Sequence, residues 1–498
     1  MISLGVDIGG TGAKCAAFYE DGRQAALSYL EYPNPAGKTS LDPLVLSETV
    51  FQVIARCAAL LPDRREVAAV TVSSFGESFV PLDREGQPLS DIIMYFADTR
   101  SRAFSDLVEK VGEETFMRVT RTKPDSFYSL SKMLYTRETA ARPVWKYLLI
   151  SSYICWRLSG AAVIDVSLAC RTLLFDVNRR AWSKELLDAS GFREDQLPEV
   201  VQAGSIAGKV LPDIAARLGL PAETKVVIGA HDQVANALAC GVALPGDTAD
   251  VSGTSESITP LFETIPEGFG FQRCNYACVP WLGGKGFVTY AYNLSGGSVV
   301  RWFRDSLAAH LTPQAKAEGL SVYDLLNRAA PGEPGNLLVL PYLQGMGGTP
   351  VMVPQARGLL YGLSMDTGLP DIYRAILEGL TFEMACNLES LADFGINPTR
   401  LFACGGGARS KLWLSVKADV WNREVIPVKS EETGALGSAI LGFAAVTGER
   451  NVIALAQRFV LHGEPVRPNP LRAEIYMEKL ARYKRFRRFV MDEAAHST

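Results

Sequence analysis

The sequence predicts an α/β chain of two lobes, and three observations carry that reading. Short apolar, partly β-branched runs are mixed with stretches of helical apolar spacing. One such run in each half of the chain ends in a turn of glycine and hydroxyl residues. Finally, 498 residues are too many for one ordinary core.

Residues 2–8 are apolar and run into Gly9-Gly10-Thr11-Gly12, after which Cys15 to Tyr19 is apolar again, so a strand, a tight turn and a second strand are expected. Leu44 to Leu61 and Val144 to Leu158 read as helices, and Val67 to Ser73 and Lys225 to Ala230 as strands. Asp232 follows the last of these directly and precedes a small-residue helix, Val234 to Cys240. After Pro245-Gly246-Asp247 the opening device recurs, with Gly253-Thr254-Ser255 between two expected strands. The lobes are therefore divided as 1–245 and 246–498, without a residue-level repeat at fixed period. Arg400 to Cys404 reads as a strand entering the turn Gly405-Gly406-Gly407, which opens a helix. Ala473 to Glu493 is a closing helix packed on the body, its basic face solvated.

Composition narrows the function. With 50 Lys plus Arg against 54 Asp plus Glu, the net charge of −4 offers no global attraction for nucleic acid or anionic lipid. A hydrophobic share of 48% and a charged share of 21% describe a globular protein. No stretch approaches the roughly 20 apolar residues of a spanning helix, and the opening Met1-Ile2-Ser3-Leu4-Gly5-Val6-Asp7 lacks a basic leader pattern. A cytoplasmic location is expected. The nine cysteines are scattered, and Cys274 and Cys278 lack the spacing of a zinc site, so reduced thiols are expected.

Phosphoryl transfer needs backbone donors around phosphates, a carboxylate that can hold a metal, and a base near the attacking hydroxyl. Asp7, Gly9, Gly10, Thr11 and Lys14 place an acid at a strand end, bare backbone in the turn and a cation just beyond. The same residues also suit a plain hairpin. Gly253 and Thr254 could form an opposing phosphate cradle, and Gly406, Gly407 and Ser410 a turn against which a nucleotide lies. Asp232, an acid at a strand's C-terminal end, is the base candidate, and its structural alternative is an N-cap.

In this order the pieces resemble the FGGY carbohydrate kinases, within the fold shared by sugar kinases, actin and heat-shock ATPases. Asp7-Ile8-Gly9-Gly10-Thr11-Gly12-Ala13-Lys14 is similar to the family's opening motif. Pro341-Tyr342-Leu343-Gln344-Gly345, then Pro354-Gln355-Ala356-Arg357-Gly358, resembles its middle segment, and Gly405 to Trp413 its C-terminal signature. The resemblance implies two actin-like (ribonuclease H-like) lobes around a central ligand cleft, and ATP-dependent phosphorylation of a small sugar or polyol with Mg²⁺. It implies Asp232 as general base and Asp7 as the acid beside metal and phosphate. Glu77, Gln233, Asp98 and Arg100 fall on the acceptor side, and Gly297 and Arg301 approach the phosphates. The expected partners are the sugar or polyol and ATP, with no nucleic acid and no membrane, and a homodimer is allowed.

Gly10 departs from the family's threonine, Gly345-Met346-Gly347-Gly348 from its acid-and-base segment, and Asp366 from a common histidine. None of these touches Asp7 or Asp232. His231 is similar to the residue in fuculokinase-like members. The rival readings are an actin- or heat-shock-type ATPase and a sugar-binding regulator without turnover; Glu77 and the paired Asp7 and Asp232 speak against them.

Overall fold

The computed structural model describes residues 1–33, 39–94, 96–97 and 101–496. Six strands form the first sheet: β1 (Ile2–Ile8), β2 (Gly12–Tyr19), β3 (Gln24–Glu31), β4 (Val67–Ser74), β5 (Ile206–Lys209) and β6 (Lys225–His231). Their spatial order is β5-β6-β4-β1-β2-β3. The second sheet is built on β7 (Asp247–Ser252), β8 (Glu256–Phe262), β9 (Arg400–Gly405) and β10 (Val425–Pro427), with short strands between 279 and 293 completing the β8 side.

Both sheets follow one path. β1 and β2 form an antiparallel hairpin, β4 returns parallel to β1, and β6 parallel to β4. β7 and β8 likewise form an antiparallel hairpin, β9 returns parallel to β7, and β10 parallel to β9. The recurrent glycine and hydroxyl turns are thus the two hairpin turns of a duplicated architecture, which gives the two-lobed α/β fold its substance.

Helices cover the sheets. α1 (Pro43–Ala59) starts at the Asp42 cap, whose side chain accepts from the Leu44 N–H, and buries Leu46, Val50, Phe51 and Ile54. α2 (Asp232–Cys240) leaves β6, and α3 (Gly297–Ser306), α4 (Leu369–Asp393) and α5 (Lys411–Trp421) belong to the second half. The next helix, α6 (Thr433–Thr447), crosses over: it packs on β1, β4 and α2. Backbone contact makes this possible, since a Cβ on Gly437 would stand 2.0 Å from the Ala235 carbonyl oxygen. α6 therefore lies between the lobes and joins them.

Two expectations change. The run from Val144 splits into a strand, Lys146–Leu149, paired antiparallel with Phe79–Leu82, and a helix, Ile150–Ser159. Tyr147, Leu148 and Leu149 are buried, so the run has no polar face to betray the strand's period of two. The closing helix, α7 (Pro470–His496), is present, but its basic residues are not all solvated. Lys479 turns inward to Glu378, and Arg487 lies 3.3 Å from Glu383. All nine cysteines are free, and all but Cys274 are buried.

Candidate active site

The topology gathers the chemistry. β6, β4 and β1 are adjacent and parallel, and Asp7 pairs in register with Ser73 while His231 pairs with Ser74. Asp7 is the penultimate residue of β1, Glu77 lies three residues beyond the end of β4, and Asp232 follows β6. Neighbouring strands are about 4.8 Å apart, so three carboxylates meet at one edge, where ligands of α/β sheets bind.

Asp232 is not the cap of its helix. His231 takes that position, its Nδ1 accepting from the Gln233 N–H at 3.3 Å, and this leaves the Asp232 carboxylate free. The side chain is about a quarter exposed, and its Oδ1 stands 3.0 Å from His231 Nδ1 without a donor of its own. Burial, and then the charge of Arg171, push the imidazole well below its usual range, so it is neutral. The Nδ1 lone pair already accepts from the Gln233 N–H, so the neutral imidazole gives Asp232 Oδ1 no donor. Burial first, then the charges of Asp7 and Glu77, push Asp232 up to about 8. The surroundings thus favour a carboxyl that takes up a proton.

Glu77 is buried and holds a left-handed backbone with φ of 64°, rare for a residue with a side chain. The chain turns sharply there because Gly76 packs against Arg171 and His231, where a Cβ would meet Arg171 Cγ at 2.7 Å. Arg171 Nε and Nη2 both lie 2.5 Å from Glu77 Oε1. The guanidinium also stands over the rings of Tyr128 at 4.8 Å and Tyr290 at 5.4 Å, and Tyr290 stacks on His231 at 4.8 Å. A cavity of about 410 Å³, lined by Tyr128, Tyr292, Lys123 and Asp125, opens beside this group. Gln233 reaches across the lobes, its Oε1 accepting from Ser257 Oγ at 2.8 Å. Asp98 and Arg100 lie outside the described residues.

Asp7 faces Lys14 directly across the β1–β2 hairpin, and Lys14 donates to Glu432 at 2.9 Å. Burial pushes Asp7 up to about 6 against the opposing charge of Lys14, with Glu432 adding to the rise. Gly434 packs on this carboxylate so closely that a Cβ would stand 2.6 Å from Oδ2. In the hairpin turn, the Gly9 N–H donates to the Gly12 carbonyl at 2.9 Å, leaving Gly10 and Thr11 at the tip.

The second hairpin turn faces a cavity of about 680 Å³. Gly253, Thr254, Gly297, Arg301, Gly406, Gly407 and Ser410 all line it. In-register pairing of Ser252 with Gly405 sets the two turns side by side. The Gly297 N–H donates to the Gly253 carbonyl at 2.9 Å, and Arg301 Nη2 reaches Thr254 Oγ1 at 3.4 Å, so α3 braces the turn. Gly9, Gly10, Thr11 and Lys14 belong to the other hairpin and do not line this cavity.

Sequence reasoning missed Arg171, Tyr290 and Asn327. Asn327 Oδ1 accepts from both Ser410 Oγ and Tyr373 at 3.0 Å and so shapes the larger cavity. None of the three sits in a glycine turn or at a readable strand end. The Ser321–Asp324 capping box, which starts the helix bearing Asn327, was the available signal.

Comparison with known proteins agrees with this geometry. The family model for the N-terminal domain of the FGGY family of carbohydrate kinases matches residues 2–239, and that for the C-terminal domain matches residues 278–446. A gluconokinase of Bacillus subtilis (strain 168) is 31% identical over 455 residues, covering 89% of this chain and 87% of the relative. A xylulose kinase of the same organism is 25% identical over 490 residues, covering 97% and 95%. The crystal structure of a gluconate kinase from Lactobacillus acidophilus superposes with a TM-score of 0.87 at 23% identity, covering 100% of this chain and 99% of that one, and shares the fold.

Proposed function

The chain belongs to the FGGY family of carbohydrate kinases and transfers a phosphoryl group from ATP to a hydroxyl of a small sugar or polyol, and we propose the residues that do so. Asp232 accepts the proton of the attacking hydroxyl. The observation that carries this is its Oδ1, buried without a donor at the edge where Asp7 and Glu77 also converge, in surroundings that raise its proton affinity. Base assistance of this kind contributes about 10²–10⁴-fold.

The nucleotide lies in the larger cavity, its phosphates between the turn at Gly253-Thr254 and the turn at Gly9 to Thr11, with Lys14 and Arg301 as flanking cations. Asp7 suits Mg²⁺, because its carboxylate stands near a strand end with the Glu432 charge favouring a cation there, against the opposing charge of Lys14. When bound, the ion would neutralise developing phosphate charge. On the acceptor side, Glu77 and Gln233 receive hydroxyls, with Asp98 and Arg100 in the same segment and Arg171 fixing Glu77. Lobe division at residue 245 places acceptor and base groups in the first part and most nucleotide groups in the second.

Among the described residues no helix is long and apolar enough to cross a membrane. We read the protein as a cytoplasmic enzyme that acts on free small molecules, alone or as a homodimer. The similar proteins are named for gluconate and xylulose, and acceptor assays start there. Release of ADP with Mg²⁺ and ATP is measured over a panel of aldonates, ketoses and polyols, for wild type and Asp7→Ala. Acceptor-dependent release that Asp7→Ala abolishes supports the reading; equal release with and without every acceptor contradicts it.

A further inference from the structure

A buried charge cluster stands directly behind the second hairpin turn. Lys417, on α5, is 1% exposed at its side chain and has its ammonium 2.5 Å from Asp250 Oδ2, 2.6 Å from Glu256 Oε1 and 2.7 Å from Ser252 Oγ. Those three acceptors flank Gly253-Thr254: Asp250 and Ser252 end β7, and Glu256 begins β8. Ser252 also underlies the glycine turn that opens α5, since a Cβ on Gly407 would stand 2.5 Å from Ser252 Cβ. One ammonium therefore touches both arms of one nucleotide-facing turn from the helix that follows the other.

The cluster is more than an isolated ion pair. Two carboxyls share one cation in a buried site, and Asp250 Oδ1 and Glu256 Oε2 have no donor among the described residues. A proton held by one carboxyl of the pair supplies that donor and makes the cluster neutral. Burial pushes Glu256 up to about 7, with Lys417 opposing and Asp250 adding to the rise. Trp413 and Trp421 close the site, with the Lys417 ammonium 5.0 Å and 5.3 Å from their ring centres, and Trp413 itself lines the nucleotide cavity. Replacing such clusters by apolar groups is often neutral for stability, so stability alone gives little reason for so many buried charges.

We propose that Lys417 is a positioning residue for the nucleotide, clamping the Gly253-Thr254 turn to the glycine turn at Gly405 to Gly407 so that both walls of the cavity are set by one side chain. The proposal rests on the reading that the phosphates lie at Gly253-Thr254. Displacements on the order of 1 Å in such a wall cost up to about a hundredfold in rate.

The test compares Lys417→Met with the triple variant Lys417→Met/Asp250→Asn/Glu256→Gln, which removes the ammonium together with both carboxyls it serves. Gly253→Val is the control for nucleotide placement. Melting temperature, ATP KM, acceptor KM and kcat are measured for each. We expect the triple variant to fold near the wild-type melting temperature, with ATP KM raised about tenfold or more and acceptor KM within about twofold. A folded triple variant with unchanged ATP KM, while Gly253→Val loses ATP affinity, overturns the clamp and leaves the nucleotide reading standing. Unchanged ATP KM in Gly253→Val overturns the nucleotide placement and the clamp with it. Equal rises in ATP and acceptor KM assign Lys417 to general stability and also overturn the proposal.

Discussion

Glu77 Oε1 and the Arg171 guanidinium meet at 2.5 Å, both side chains buried, on residues 94 positions apart in the chain. Both contacts end on one carboxylate oxygen, so Oε2 is the atom that an acceptor hydroxyl would find. Removing one partner of such a pair leaves an uncompensated buried charge and costs about 3–5 kcal/mol. We expect Glu77→Ala to lose stability on this scale in chemical denaturation. Glu77→Gln/Arg171→Met should recover most of that stability and still show acceptor KM raised about tenfold or more, on the scale of one lost charged hydrogen bond. Wild-type acceptor KM in that double variant would assign the pair to structure alone.

The pH dependence follows from Asp232. A base works deprotonated, and burial together with Asp7 and Glu77 holds this carboxyl up to about 8. kcat/KM for the acceptor should therefore climb through neutral pH and level off above about pH 8 in the enzyme free of ligands, a rise of about tenfold per unit on the acid side. Asp7→Asn removes one of the negative charges that raise Asp232, so the Asp232 carboxyl titration, followed by ¹³C NMR, should move to lower pH. A titration that stays in place would show that the two carboxylates do not share a site.

His231 is expected to act through Asp232. Asn at this position keeps a polar atom near the place of Nδ1, whereas Gln puts its amide near that of Nε2. His231→Asn should retain more kcat than His231→Gln or His231→Ala, with ATP KM unchanged in all three. Equal kcat losses in the three variants would deny His231 Nδ1 any part in holding the base.

Gly437 tests how the lobes are joined. A Cβ there would stand 2.0 Å from the Ala235 carbonyl oxygen on α2, whose first residue is Asp232. Gly437→Ala should cost about 1–3 kcal/mol, the range of overpacked interiors, and should lower kcat because α2 shifts. Wild-type stability in urea would show that α6 and α2 are not in backbone contact.

Much of this was legible in the chain. An apolar run that stops at Asp7 before two glycines, and another that stops before Asp232, mark strand ends without reference to the rest of the sequence. The glycine turns at Gly253 and Gly405 were readable for the same reason. Arg171 was not, because it sits in a short 3₁₀ turn and gains its meaning only from Glu77 across the fold. His231 as the helix cap was hidden by the better-capping residue beside it, and the strand Lys146–Leu149 by the uniform burial of its side chains. The crossing of α6 to the first sheet depends on glycine contacts that a periodicity count does not see.

Single-turnover phosphoryl transfer by Asp232→Asn tests directly whether Asp232 takes the acceptor's proton. Asn keeps the shape of the side chain and cannot accept the proton. With ATP and acceptor both saturating, and ATP binding verified by calorimetry, we expect wild-type ATP affinity and a transfer rate lowered about 10²–10⁴-fold. A variant that binds ATP normally and transfers phosphate at more than about a tenth of the wild-type rate would contradict it.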